Sequence, residues 1–82
     1  MTIDPKTIKR GDVIKYFDDP MYIVITHVRG YKCSYYFREN TYMGGGLVVE
    51  FAEPEYTRIA QLGDTFTEED VKAAIEAWEV QK

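Results

Sequence analysis

The stretch that most constrains the fold is residues 21–28, MYIVITHV, which is nearly apolar on both faces of an extended chain. Ile23, Val24 and Ile25 follow one another, so alternation along the strand places apolar side chains on both sides. Strands of this kind usually lie in the middle of a sheet or barrel. If residues 21–28 instead formed an edge, they could pair with a second copy of the chain, which makes a homodimer an alternative to a monomer.

Residues 1–11 predict a short helical lead-in. Asp4 can cap a helical turn, the proline after it suits the first helical position, and Gly11 can end the turn in a left-handed conformation. A first strand is predicted at 12–17. The sequence DDP at 18–20 is typical of a turn.

Residues 32–39, KCSYYFRE, show the alternation of a half-buried strand. Cys33, Tyr35 and Phe37 fall on one face, which we expect to be the inner one. Tyr36 falls on the opposite face and is expected to be exposed there. The outer face comprises Lys32, Ser34, Tyr36 and Arg38.

Residues 40–46 are expected to form a loop, and residues 47–51, LVVEF, a fourth strand. Farther along, residues 56–59 predict either a short fifth strand or a turn of helix. The side chains of the fourth strand that are expected to face inward are Leu47, Val49 and Phe51.

The last element, residues 67–81, is predicted to be an amphipathic helix. Thr67 is a typical N-cap, and Asp70 can bond back to it in a capping box. Phe66 before the cap and Val71 after it have the spacing of a hydrophobic staple. The apolar stripe expected to pack against the sheet comprises Val71, Ala74, Ile75 and Trp78.

These elements predict a single α+β domain over residues 1–82. A small, bent antiparallel sheet or SH3-like barrel of four to five strands would span 12–62, with the helix packed on it. The segment IKRGDVIKYFDDPMYIVITHV resembles the opening of SH3-like small barrels, and the resemblance extends over roughly residues 8–51. It implies a binding module, because such barrels rarely catalyse reactions. The short, acidic, tyrosine-rich chain also resembles small proteins encoded by bacteriophages.

The three glycines at 44–46 do not have the context of a nucleotide-binding loop. A phosphate-binding loop opens a helix and is usually followed by Lys and Ser or Thr, whereas here a predicted strand follows. A mobile hairpin loop is the simplest interpretation. The alternative is a close-approach surface, where the absent side chains of Gly44, Gly45 and Gly46 admit a partner's backbone.

Other residues with catalytic or metal-binding potential lack partners in the sequence pattern. His27 is the only histidine and Cys33 the only cysteine, so no Cys/His metal motif is present. An apolar environment would also raise the thiol pKa of Cys33. Asp18 and Asp19 are followed by Pro-Met-Tyr rather than by the further oxygen donors of a calcium loop. We therefore expect no enzymatic activity, no cofactor and no metal.

The charge distribution limits the partners. The formal charge is −4, with +2 over residues 1–42 and −6 over residues 43–82, and the pI is about 4.9. Nucleic-acid-binding domains are usually basic, so this balance disfavours nucleic acid. No run of apolar residues is long enough for a membrane span and no signal peptide is evident, so we expect a cytoplasmic protein. The acidic helix could mimic nucleic acid, although acidic first turns are ordinary helix chemistry.

Tyrosines crowd the first half of the chain, and tyrosine is enriched at protein interfaces. The hypothesis that we favour is a small non-enzymatic protein-interaction module, in the manner of a phage-type inhibitor or regulator of a host protein. The alternative is a barrel face that binds single-stranded nucleic acid or a nucleotide-like ligand, with aromatic rings stacked on bases. The predicted partner-binding residues are Tyr31, Lys32, Tyr36, Arg38, Tyr42, Gly44, Gly45 and Gly46.

Overall fold

The computed structural model describes residues 2–17 and 21–81 of the chain. Its strands are β1 (Asp12–Tyr16), β2 (Met21–Arg29), β3 (Lys32–Phe37), β4 (Met43–Leu47) and β5 (Tyr56–Gln61). One α-helix, α1 (Glu68–Val80), follows β5, and short 3₁₀ turns cover Pro5–Thr7 and Val48–Ala52. All neighbouring strands are antiparallel, in the order β4-β3-β2-β1-β5. The result is an α+β fold with an open five-stranded sheet, compatible with a small barrel-like architecture.

The predicted central strand is confirmed, because β2 lies between β1 and β3. Its alternate side chains enter two separate cores. Ile23 and Ile25 pack on the face that the two 3₁₀ turns cover, which we call the turn side. Tyr22 and Val24 pack on the face that α1 covers, which we call the helix side. The idea that this strand might be a dimerising edge is therefore wrong, since both of its edges are already paired.

The C-terminal helix forms as predicted. The Thr67 hydroxyl accepts a hydrogen bond from the Asp70 N–H at 3.2 Å, and the Asp70 carboxylate accepts one from the Thr67 N–H at 2.9 Å. This capping box satisfies two backbone donors at the start of the helix. Val71 and Ile75 are buried in the helix-side core, and Trp78 packs partly buried beside them.

The lead-in is a 3₁₀ turn, capped by Asp4, whose carboxylate accepts the Lys6 N–H at 3.0 Å. Gly11 has a φ of +92°, as the predicted left-handed conformation requires. The predicted first strand ends one residue early, at Tyr16, and the third ends at Phe37. The stretch at 56–59, for which the sequence predicted either a strand or a turn of helix, belongs to the strand β5. The predicted turn at 18–20 lies outside the described residues.

The predicted loop over 40–46 is confirmed only for residues 40–42, and the predicted strand over 47–51 is wrong beyond Leu47. The glycines are not in a loop but form the edge strand β4, and residues 48–52 are a 3₁₀ turn rather than a strand. Residues three apart share a side of a 3₁₀ turn, so Val48 and Phe51 are both buried in the turn-side core. Leu47 and Val49, expected to face inward, are 41% and 56% exposed.

Candidate functional site

Large exposed apolar side chains gather around the edge strand β4. Tyr42 and Met43, at its start, are 66% and 64% exposed. Leu47 at its end and Val49 just beyond are exposed as well. We call these four residues, with the outer edge of the strand, the β4 surface. Exposed apolar residues in such a cluster are typical of interaction sites, whereas single ones are ordinary.

The outer edge of β4 presents unpaired backbone groups. The Phe37 N–H donates to the Tyr42 carbonyl at 2.9 Å, and the Val48 N–H donates to the Tyr31 carbonyl at 2.9 Å. Bonded residues alternate in an antiparallel ladder, so Gly44 and Gly46 direct their backbone groups toward β3. Met43, Gly45 and Leu47 direct theirs away from the sheet.

One of these outward groups already has a partner. The Leu47 N–H donates to the Glu50 carboxylate at 2.6 Å, across the first residues of the second 3₁₀ turn. The outward N–H groups of Met43 and Gly45 have no comparable bond among the described residues. The central part of the edge is therefore open to a further strand.

The glycines make room for the protein's own side chains. A Cβ on Gly44 would lie 2.7 Å from a ring carbon of Tyr35, and a Cβ on Gly46 would clash with the Glu50 carboxylate. Gly45 is different, because its added Cβ would meet only the Cys33 carbonyl, at 3.3 Å. The groups that approach Gly44 and Gly46 therefore belong to the same chain. Approach of a partner's backbone at the glycines stays a prediction.

The two edges of the sheet differ in how well they resist pairing. β5 carries Arg58, which is bonded to Asp12 at 3.2 Å, and its ladder with β1 is interrupted by a register shift at Val13 and Ile14. Charged side chains and such irregularities are the usual devices that prevent edge-to-edge pairing. β4 has neither a charged residue nor a proline nor a register shift.

Tyr36 and Arg38 are half-buried against the helix, whereas the sequence predicted an exposed Tyr36. Both contact Glu68 at the start of α1: the Tyr36 hydroxyl donates to the carboxylate at 2.8 Å, and the Arg38 guanidinium lies 2.7 Å from it. Burial and then the bonded, charged Glu68 raise the pKa of Tyr36 to about 12, while Arg38 opposes the shift. The helix extends over the end of β3, and the contacts of Tyr36 and Arg38 with Glu68 hold the start of the helix against the sheet.

The remaining predicted residues stay accessible. Tyr31 is 67% exposed in the β2–β3 turn, with the Lys32 ammonium 5.9 Å from its ring centroid. Since the Tyr31 carbonyl accepts the Val48 N–H, this turn lies beside the far end of β4. Tyr42 lies at the opposite end of the β3–β4 pair, about 20 Å from Tyr31 along the six-residue strand β3.

An open cleft of about 550 Å³ lies at the same end of the sheet as Tyr31. Its side chains include the cations Arg29 and Lys32, with the exposed His27 beside them and Leu47 at its rim. It lies where the bulge between Ile25 and His27 displaces the β2–β3 ladder. The cleft can accept an anionic group, since Arg29 and Lys32 are the charged residues of its lining and no acidic residue lines it.

The single thiol is not arranged for chemistry. Cys33 is buried, and burial raises its pKa, with the charge of Glu50 adding to the effect. A buried thiol with a raised pKa is a poor nucleophile. In residues 2–17 and 21–81 no three His, Cys, Asp or Glu side chains are grouped as metal ligands. The Asp18–Asp19 pair that was considered for calcium lies outside this described part.

Met43, Leu47 and Val49 are surface residues that were not among the predicted binding residues. The available signal was the pattern MGGGL itself, in which the glycines separate two apolar residues at an even spacing. Such spacing places Met43 and Leu47 on the same face of a strand, with Gly45 between them. This spacing carries no information about a shared face if the glycines are assigned to a loop.

Within the described residues, no helix has both the length and the apolar character needed to cross a bilayer. No family model matches the chain, and neither a curated protein nor a solved structure matches it significantly.

Proposed function

We propose that this protein is a non-enzymatic protein-interaction module, an SH3-like small barrel that binds another polypeptide through the β4 surface. The observation that carries the proposal is the presence of four exposed apolar side chains along an edge strand that contains no charged residue. Extended segments add to such edges through main-chain hydrogen bonds, while flanking pockets and apolar contacts provide selectivity.

The role that we assign is regulation or inhibition of a bound host protein, as in the small phage proteins that the chain resembles. A cytoplasmic setting suits the free, buried thiol, because free cysteines persist in reducing compartments. The acidic charge, −4 for the whole chain, favours a protein partner over nucleic acid.

Lysine at Met43 or Leu47 is expected to abolish capture of the partner. The immobilised wild-type protein should retain a discrete protein from bacterial lysate after nuclease treatment, identified by mass spectrometry. Each lysine substitution places a charge in the apolar contact, and loss of such a hot-spot residue weakens binding by about 30-fold or more. Both side chains are exposed, so the variants should fold as the wild type does.

The matched control is Val80→Lys, which introduces the same charge at an apolar residue that is 83% exposed at the far end of α1. This variant should capture the same protein as the wild type. Equal capture by all four proteins would contradict the proposed surface. Partners that disappear with nuclease would contradict protein binding.

The second candidate function is binding of a nucleotide-like anion in the basic cleft. Arg29 and Lys32 would meet the phosphates, with the exposed ring of Tyr31 nearby. A longer single strand is less well supported. Tyr35 packs in the turn-side core and Tyr36 is bonded to Glu68, so neither ring presents an open stacking face.

A further inference from the structure

We infer that the β4 edge pairs with the β4 edge of a second copy, so that two five-stranded sheets join into one in a symmetric dimer. The inference rests on the proposed function, because it takes the β4 surface as a protein-binding surface and names its occupant. It does not involve β2, which lies inside the sheet.

The strand is self-complementary about Gly45. In an antiparallel pair centred on this residue, Met43 of each copy lies opposite Leu47 of the other. Met43 and Leu47 share the helix-side face, so the pair brings two exposed apolar side chains into contact on each side of the two-fold axis. Tyr42 and Val49 lie outside this pair, because Tyr42 is on the turn side beside Phe37 and Val49 is in the 3₁₀ turn. The pairing therefore covers two of the four exposed side chains, Met43 and Leu47.

The backbone groups also match. With Gly45 on the axis, its outward N–H and C=O bond to those of the second copy in both directions. The Met43 N–H then donates to the Leu47 carbonyl of the second copy, and the symmetric bond forms as well. The Met43 carbonyl of the second copy replaces the Glu50 carboxylate at the Leu47 N–H, because the two acceptors would occupy the same position beyond the strand edge. Six backbone hydrogen bonds then join the two strands, and the two bonds from Leu47 to Glu50 within the chains are lost.

Gly45 suits the axis for a further reason. It is exposed, and unlike Gly44 and Gly46 it has no side chain of its own protein occupying the space beside it. Two chains can therefore approach closely at this point.

A second copy offers an uncharged strand to the uncharged strand β4. The residues of the two strands therefore bring no like charges together, and the nearest charge is Glu50 at the end of each strand. Each whole chain nevertheless carries −4, which opposes association at low ionic strength. We therefore expect added salt to strengthen the dimer, the reverse of its effect on an ion-paired interface.

Sedimentation equilibrium over a wide range of protein concentration tests the inference. The wild type should show a monomer–dimer equilibrium that shifts toward dimer with sodium chloride. Met43→Lys and Leu47→Glu should each weaken self-association by about tenfold or more, since each spoils both symmetric apolar pairs. Val80→Lys should leave the equilibrium essentially unchanged, and thermal unfolding by circular dichroism checks that every variant is folded.

Mixing the two variants tests the register. In the mixed dimer the introduced lysine faces the introduced glutamate at one pair, and the native Met43 and Leu47 meet at the other. Association should therefore recover on mixing Met43→Lys with Leu47→Glu. No recovery, or a dimer that neither substitution weakens, would overturn the inferred arrangement.

A wild type that stays monomeric at every concentration and salt level would also overturn it. If lysate capture still depended on Met43 and Leu47 in that case, the proposed function would stand and the occupant would be a foreign strand. If capture failed too, both proposals would fall.

Discussion

Phe51→Ala is expected to lower the free energy of unfolding by about 3–5 kcal/mol, the usual cost of removing a buried aromatic side chain. Phe51 is 3% exposed and packs edge-on against Tyr35 and Tyr56, with ring centroids 5.6 and 5.0 Å away. Alanine would leave a cavity between these rings. A domain of this size has only a few kcal/mol of stability, so much of the variant should be unfolded.

The control is Val49→Ala, in the same 3₁₀ turn. In a strand, residues 49 and 51 would share a face, and both truncations would be costly. In the turn, Val49 is 56% exposed, and its truncation should change the free energy of unfolding by no more than about 0.5 kcal/mol. Chemical denaturation of both variants measures the difference. Similar losses at the two positions would contradict the turn.

Gly11→Ala is expected to cost about 2–5 kcal/mol, from two separate causes. The φ of +92° is strained for any residue with a Cβ, at about 1–2 kcal/mol. An added Cβ would also clash with the backbone carbonyl and nitrogen of Gly63, which cannot swing away as a side chain does. Such overpacking adds about 1–3 kcal/mol.

Gly63→Ala separates the two causes. Gly63 has a φ of +89°, nearly that of Gly11, but an added Cβ there has no neighbour within 4 Å. Gly63→Ala should lower the free energy of unfolding only by the backbone strain, about 1–2 kcal/mol. Thermal or urea unfolding of the two variants gives the comparison. Equal destabilisation would show that the close approach of Gly11 and Gly63 is absent.

Elements that depend on local signals were predictable from the sequence. The capping box at Thr67 and Asp70 marks the start of the helix, and the apolar stripe through Val71 and Ile75 shows its period. The two signals lie within a few residues of each other. The run at 21–28 required apolar cover on both faces, and residues 22–25 of β2 receive it from two cores, whereas His27 and Val28 are exposed. In these cases one local pattern excludes the alternatives.

The fourth strand was not predictable in the same way. Glycines disfavour strands, and β4 forms because Tyr35 and Glu50 occupy the space that their missing side chains leave. LVVEF alternates like a strand, yet the chain turns there so that Val48 and Phe51 can reach the turn-side core. Tertiary contacts outweigh local preference at both points.

In the candidate site, too, the residues placed by local signals were predictable and those placed by long-range contacts were not. Tyr31 and Tyr42 are exposed as expected, because they lie in or beside turns. The placement of Tyr36 and Arg38 depends on Glu68, some thirty residues farther along the chain, which no local pattern connects to them. The exposed β4 surface likewise follows from the sheet order, which makes β4 an edge.

The most direct test of the β4 surface is hydrogen–deuterium exchange of individual amides followed by NMR. In the unbound monomer, Gly44 and Gly46 should be protected by their bonds to β3, whereas Met43 and Gly45 should exchange rapidly. Addition of a captured partner, or concentration of the protein itself, should slow Met43 and Gly45 selectively. If these two amides keep exchanging rapidly while the protein is demonstrably bound to its partner or to a second copy, the β4 edge is not the binding surface.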